Sequence, residues 1–297
     1  MRIAITGSHG LIGSALVARL RAEGHEPVPV VRATPATGEI GWDPRAGRLD
    51  PADLAGIDAV VNLAGAGIGD KRWSDDYKRV VLESRVDGTR LVAETMAAAT
   101  DGPQILLSGS AVGFYGDRGD EQLDEGSPAG TGFLAEVAEA WEAATAPAAR
   151  AGARVVHLRT GIVLAPRGGA LGKLLPLFKV GLGGRFGAGT QWMSWISLDD
   201  EVGAIVHLVT SALAGPVNLT APEPSRNAAL ADTLGTVLHR PTVLPVPSFG
   251  PRLLLGGERA DGLLFDGQRV LPKALLADGY TFVHPTLEEA LRAILAR

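Results

Sequence analysis

Short apolar, mostly β-branched runs alternate with segments of helical period along the first 165 residues. Residues 2–6, 26–31, 58–63, 105–110 and 154–164 read as strands. Their near-continuous apolar character suits strands buried on both faces of a parallel sheet. Between the first two strands, Leu11, Ile12, Leu16, Val17 and Leu20 recur at helical spacing, and Gly24 is placed as the stop. Residues 77–99 and 133–150 read as further helices. This alternation predicts an α/β fold, a doubly wound parallel sheet with helices on both faces. Beyond residue 165 the texture changes. A Gly-rich stretch surrounds a short helical piece, residues 195–209 read as strand, cap and helix, and 215–220 as a late strand. Helical patterns at 227–239 and 286–295 flank a Pro-rich connector. The expected division is a domain over 1–222, with a substrate-side insert at about 166–195, and a smaller α/β C-terminal domain over 223–297. No period of roughly 20–50 residues marks a repeat architecture.

Composition narrows the classes. The 297 residues carry 28 Lys and Arg against 33 Asp and Glu, a net charge of −5 without a basic block, which argues against nucleic acid as a partner. No apolar run reaches about 18 residues, so no membrane span is expected. The N-terminal segment reads as a strand and not as a signal peptide, and a cytoplasmic location is expected. The absence of cysteine excludes disulfides, thiolate zinc sites and a Cys nucleophile. The six histidines lack metal-ligand spacing, and no metal is expected.

The sharpest motif is Thr-Gly-Ser-His-Gly-Leu-Ile-Gly at 6–13, which follows a strand and opens a helix. That is the context of a dinucleotide-binding turn. Gly7 allows the tight turn, Gly10 lets backbone approach a pyrophosphate, and Gly13 lets helix and strand pack closely. The helix N-terminus then presents unpaired N–H groups to the phosphates. Ser8, His9, Leu11 and Ile12 complete the cradle. The second strand ends in Val31–Arg32, without the acidic residue that holds an adenosine ribose 2′-hydroxyl. Arg32 suits a 2′-phosphate, so NADP(H) is expected over NAD(H).

The Gly-x-x-Gly-x-x-Gly spacing resembles the extended and atypical short-chain dehydrogenase/reductase (SDR) superfamily, whose sheet is of the Rossmann type. Asn-Leu-Ala-Gly at 62–65, Ser-Gly-Ser-Ala-Val-Gly-Phe-Tyr-Gly at 108–116 and Leu-Arg-Thr-Gly-Ile-Val-Leu at 158–164 extend the likeness. Trp-Glu-Ala-Ala at 141–144, the segment 187–200 with its Gln-Trp-Met-Ser-Trp-Ile core, and 215–222 narrow it to the "epimerase family protein" branch. That branch groups nucleoside-diphosphate-sugar epimerases ending in a small domain of unknown function. The resemblance implies NADP(H) bound along the 6–13 turn, Arg32, Leu63, Ala64, Gly65 and Ser108. It also implies a catalytic hydroxyl at Ser110, and a superfamily homodimer through the helices near 77–99 and 133–150.

The proton machinery departs from the pattern. The superfamily's Tyr-x-x-x-Lys is missing, with Phe133 and Val137 at the matching positions and Arg85 where an Asn is usual. A tyrosine near pKa 10 needs such a lysine to titrate usefully near neutrality. Tyr115 is the remaining candidate donor, beside Ser110. Lys71, Arg72 and Trp73 in one loop, with Arg185, Gln191, Trp192 and Trp195 in another, are candidates for binding a small, phosphorylated or planar substrate. Two functions stay open: an NADP(H)-dependent oxidoreductase or epimerase acting on a small carbonyl compound or sugar, nucleotide-linked ones included, and an NADP(H)-binding sensor or scaffold without turnover.

Overall fold

The computed structural model describes residues 1–296. From the N-terminus the chain forms β1 (Arg2–Thr6), α1 (Leu11–Ala22), β2 (Glu26–Val31), β3 (Ile40–Gly41), β4 (Ala59–Asn62), α2 (Asp75–Ala98) and β5 (Ile105–Ala111). It continues through β6 (Gln122–Leu123), α3 (Phe133–Ala143), α4 (Ala146–Arg150), β7 (Arg154–Thr160), β8 (Ile162–Leu164) and α5 (Gly169–Lys179). Then follow β9 (Trp192–Met193), β10 (Trp195–Ser197), α6 (Leu198–Thr210), β11 (Gly215–Leu219), β12 (Ser225–Arg226) and α7 (Asn227–Leu238). The last elements are α8 (Phe249–Leu255), α9 (Gly257–Ala260), a π-helical turn over Asp261–Phe265, β13 (Arg269–Val270), α10 (Lys273–Ala277) and α11 (Leu287–Leu295).

Seven strands make one parallel sheet in the order β11-β7-β5-β4-β1-β2-β3. The expected doubly wound fold is thus observed. Leu16 and Leu20 of α1, with Ile205 and Leu208 of α6, pack on Ile3, Ile5, Leu107 and Val156. Val92, Ala93 and Met96 of α2, with Ala148 of α4, pack on Ala4, Val60 and Leu106. Both faces are covered, so the strands read as apolar runs rather than alternating ones. The chain reverses strand order between β1 and β4, which opens a crevice at their carboxyl ends, the usual ligand position in such sheets. A third cluster joins α5, α7 and α11 around the fully buried Trp195.

Two predicted elements divide. Helix 133–150 breaks after Ala143, and Pro147 sits in the first turn of α4. A proline has no N–H to donate and its ring crowds the preceding turn, so it begins a helix instead of continuing one. Strand 154–164 breaks at Gly161. A Cβ there would come within 3.0 Å of the Thr220 methyl group and closer still to the Ser194 carbonyl oxygen. Ile162 N–H donates to that oxygen at 2.8 Å, and β8 leaves the main sheet to pair with β10. The connector between the two tail helices holds α8, α9, the π-helical turn and α10, none of which the sequence pattern suggested.

Candidate functional site

The 6–13 turn is built from backbone-on-backbone contacts. Gly7 has φ +66°, and a Cβ on it would lie 2.9 Å from the Leu63 carbonyl. A Cβ on Gly13 would lie 2.8 Å from the Gly7 carbonyl carbon and 2.9 Å from Ser8 Cα. Gly10 N–H donates to Gly7 O at 2.9 Å and closes the turn. Gly10 then caps α1 without any side-chain hydrogen bond, and the first turn of α1 holds no acidic residue. By contrast α2, α6 and α11 all start with a Ser or Thr cap and two or three acidic side chains. Helix N–H groups need partners, and α1 alone among these four leaves its positive end open to an external anion. Leu11 and Ile12 are partly exposed there, His9 is exposed, and Ser8 is buried with its Oγ 3.3 Å from His9 Nδ1.

Loop 62–66 flanks this cradle and is held by hydrogen bonds. Thr6 Oγ1 accepts from Leu63 N at 3.0 Å and Ala64 N at 3.1 Å, and donates to Asn62 Oδ1 at 2.7 Å. Asn62 Nδ2 donates to Thr89 Oγ1 at 2.7 Å, which also accepts from Trp141 Nε1 at 2.8 Å. Trp141 reaches that far because position 109 is glycine: a Cβ would meet the indole at 2.6 Å. Ala66 N–H donates to Ser84 Oγ at 3.0 Å. The loop backbone is therefore preorganised with Gly65 exposed. Arg32 follows β2, is exposed, and has no hydrogen bond or ion pair among the described residues. It lines an open cleft of about 410 Å³ with Thr34, Trp42 and Arg48, the last paired with Asp43 at 3.1 Å, and Asp50 and Asp53 also line it.

The serine-rich strand end does something other than expected. Ser108 and Ser110 lie on one face of β5, and both are sealed. Ser110 Oγ donates to Glu142 Oε1 at 2.7 Å. Arg159 Nε and Nη2 grip the two oxygens of Glu142 at 2.8 and 2.9 Å. Arg159 Nη1 donates to Tyr115 Oη at 3.0 Å, and Tyr115 donates to Asn218 Oδ1 at 2.7 Å. Burial would raise the Glu142 carboxyl, but the bonds from Arg159 and Ser110 outweigh it and hold it below its ordinary value. Tyr115 is 0% exposed. Burial raises its pKa, and the adjacent guanidinium only partly opposes that. The structure places Ser110 and Tyr115, the expected catalytic groups, together in one buried polar network. Ser108, expected at the cofactor, is 0% exposed. Glu142 and Arg159, which complete this network, escaped the sequence reading. The available signal was a charged residue inside an apolar strand, at Arg159.

Phe133 and Val137 pack as apolar residues. Phe133 meets Trp73 edge-on at 5.1 Å, and Val137 is buried with Tyr77 and Val81. Trp73 Nε1 donates to Ile68 O at 3.0 Å. Lys71 is exposed over the Tyr77 ring, and Arg72 Nη2 donates to Leu253 O at 2.7 Å. In the second loop, Arg185 is exposed, Gln191 Nε2 donates to Leu264 O at 2.6 Å, and Trp192 Nε1 donates to Asp120 Oδ1 at 2.7 Å. Trp195 is fully buried and donates to Glu223 O at 3.0 Å. Segment 249–265, read from sequence as connector, contacts both loops and joins them.

A family model described as "NAD dependent epimerase/dehydratase family" matches residues 3–219, and a "Domain of unknown function (DUF1731)" matches 246–294. The chain is 48% identical to epimerase family protein Mb2239 of Mycobacterium bovis over 291 residues, covering 97% of this chain and 96% of the relative. It is 37% identical to human epimerase family protein SDR39U1 over 300 residues, covering 100% of both. The crystal structure of human SDR39U1 (isoform 2) with NADPH superposes with a TM-score of 0.92 at 36% identity, covering 100% of this chain and 99% of that one. A nucleoside-diphosphate sugar epimerase structure from Corynebacterium glutamicum gives 0.81 at 40% identity, covering 99% of this chain and 58% of that one. The fold, the open α1 N-terminus and these matches agree, and the chain belongs to the NAD-dependent epimerase/dehydratase family, in the group that carries a DUF1731 segment.

Proposed function

We propose that the chain binds NADP(H) in the crevice at the carboxyl ends of β1 and β4, and carries out hydride chemistry on a small carbonyl compound or sugar, nucleotide-linked ones included. The observation that carries this reading is the open N-terminus of α1, uncapped and free of acidic residues, with the unpaired Arg32 at the end of the next strand. The NADPH-bound human relative supports the same cofactor. A bound nicotinamide supplies the hydride donor or acceptor. The chain's own groups bind and orient. The N–H groups at the start of α1 take the pyrophosphate. Gly10 keeps backbone close to it, and Ser8, His9, Leu11 and Ile12 shape the turn. Arg32 takes the 2′-phosphate through its planar fork. Leu63, Ala64 and Gly65 present backbone to the ribose side, fixed by Thr6. Lys71, Arg72, Trp73, Arg185, Gln191 and Trp192 line the substrate side.

A second reading, NADP(H) binding without turnover, is favoured by one observation: Tyr115 is sealed, while Phe133 and Val137 pack against apolar neighbours. General acid–base help is worth about 10²–10⁴-fold. Incubation with NADPH deuterated at C4 and a panel of ketones, aldehydes and keto sugars separates the two. Deuterium recovered in a product supports hydride chemistry. Bound NADPH that gives up no label to any of them leaves the binding reading alone.

A further inference from the structure

Arg85, on the third turn of α2, is a largely buried cation with no carboxylate paired to it among the described residues. Its Nη1 donates to Ala66 O at 3.0 Å and Val81 O at 3.1 Å. Its guanidinium carbon lies 5.0 Å from the Trp141 ring centroid and packs on Gly65, where a Cβ would come within 3.2 Å of it. Nε and Nη2 donate to nothing among the described residues and are not sealed from solvent. Arg159 shows the contrast: its buried charge is matched by the two oxygens of Glu142. Arg154 spends its donors on three carbonyls at a helix C-terminus. Burial drags Arg85 down to about 10, the cost of an unmatched charge.

The surroundings add to the positive field. Lys173 Nζ at 3.3 Å and Arg259 Nη2 both donate to Gly69 O of the same loop, and Arg259 Nε is buried without a partner. Lys71 and Arg72 are exposed beside them. The facing acidic groups are Asp70 in the loop and Glu258, which pairs with Lys78; Tyr77 is hydrogen-bonded to Gly67 O at 2.6 Å. A buried charge is stable only when matched, and a guanidinium edge fits a forked anion. We propose that Arg85 is an anion-binding residue of the substrate crevice, its free Nε–Nη2 edge taking a carboxylate or phosphoryl oxygen pair of the substrate beside loop 62–66. The proposal rests on NADP(H) binding at that loop and adds the charge of the substrate.

The test uses the protein saturated with NADPH and titrated calorimetrically, at low ionic strength, with oxalate and separately with inorganic phosphate. Saturable binding of one of them is expected; tighter oxalate assigns a carboxylate substrate, tighter phosphate a phosphoryl one. Arg85→Met, which keeps apolar contact with Trp141, is expected to weaken that binding at least tenfold. Arg85→Lys keeps the charge without the fork and is expected to fall between. Arg79→Met, on the outer face of α2, is expected to change nothing. NADPH affinity should stay within twofold in every variant. Absence of saturable anion binding to the NADPH complex overturns the proposal, as does binding that survives Arg85→Met. A tenfold loss of NADPH affinity in Arg85→Met assigns the residue to the cofactor and also overturns it. Failure of the wild type to bind NADPH at all would instead overturn the cofactor reading.

Discussion

Gly13→Ala is the smallest change that probes how the cradle is assembled. The added methyl carbon would sit 2.8 Å from the Gly7 carbonyl carbon and 2.9 Å from Ser8 Cα. The Gly7 carbonyl oxygen would be closer still, and unstrained carbon–carbon contacts lie at about 3.5–4.0 Å, so α1 and the turn must separate by at least about 0.7 Å. Both sides are backbone, and no side chain can rotate away. Overpacking of this kind costs about 1–3 kcal/mol. Replacing a helical glycine by alanine returns about 1 kcal/mol. The expected net loss of stability is therefore about 0–2 kcal/mol. The displacement also moves the first N–H groups of α1 relative to loop 62–66. A charge-assisted hydrogen bond is worth about 1.5–3 kcal/mol, so NADPH affinity should fall by roughly tenfold or more. Gly10→Ala is the matched comparison, because its methyl group would meet only Gly7 O, at 3.2 Å. It should weaken NADPH while leaving the denaturation midpoint close to wild type. Urea unfolding followed by circular dichroism, and NADPH titration by ligand fluorescence, measure both quantities. A Gly13→Ala protein with unchanged stability and unchanged NADPH affinity would refute the idea that this contact sets the cradle.

Tyr115→Phe leaves Arg159 Nη1 and Asn218 Oδ1 without their shared partner. It should cost about 1–3 kcal/mol of stability and leave NADPH affinity unchanged. Lost hydride transfer with unchanged stability would instead assign Tyr115 the role of proton donor. Val137→Lys places an ammonium among Tyr77 and Val81 at a position only 4% exposed, and should cost about 3–5 kcal/mol. Phe133→Tyr alone, at a partly exposed position, should keep the wild-type melting temperature; a stable Val137→Lys protein would show that the superfamily's lysine position is open after all.

The elements of the sheet were legible because parallel strands covered on both faces leave short apolar runs, as at 2–6 and 105–110. The helices over them keep their own period. The break at Gly161 was not legible. It arises from a carbonyl of Ser194, 33 residues away, and a single sequence carries no trace of that approach. Segment 249–265 was missed because α8 buries none of its residues and so shows no amphipathic pattern. In the site, the glycine spacing stated its own geometry, since each glycine meets backbone. The surroundings of the serines were not legible: Ser110, expected as a catalytic hydroxyl, and Ser108, expected at the cofactor, share one buried face of β5, and Glu142 of α3 holds Ser110. Trp141 and Glu142, adjacent in sequence, anchor two networks, Thr89 with Asn62 and Arg159 with Ser110. That coupling is visible only when α3 is laid over β4 and β5.

The central claim is that this crevice binds a dinucleotide and that Arg32 reads its 2′-phosphate. Calorimetric titration of wild type and Arg32→Ala with NADPH and NADH tests it most directly. Arg32 has no hydrogen-bond or ion-pair partner among the described residues, so its removal should leave the fold untouched. Wild type should bind NADPH more tightly than NADH, and Arg32→Ala should lose about 1.5–3 kcal/mol toward NADPH, the value of a charge-assisted contact, with NADH affinity unchanged. Equal losses for both cofactors, or tighter NADH binding by the wild type, would contradict the account.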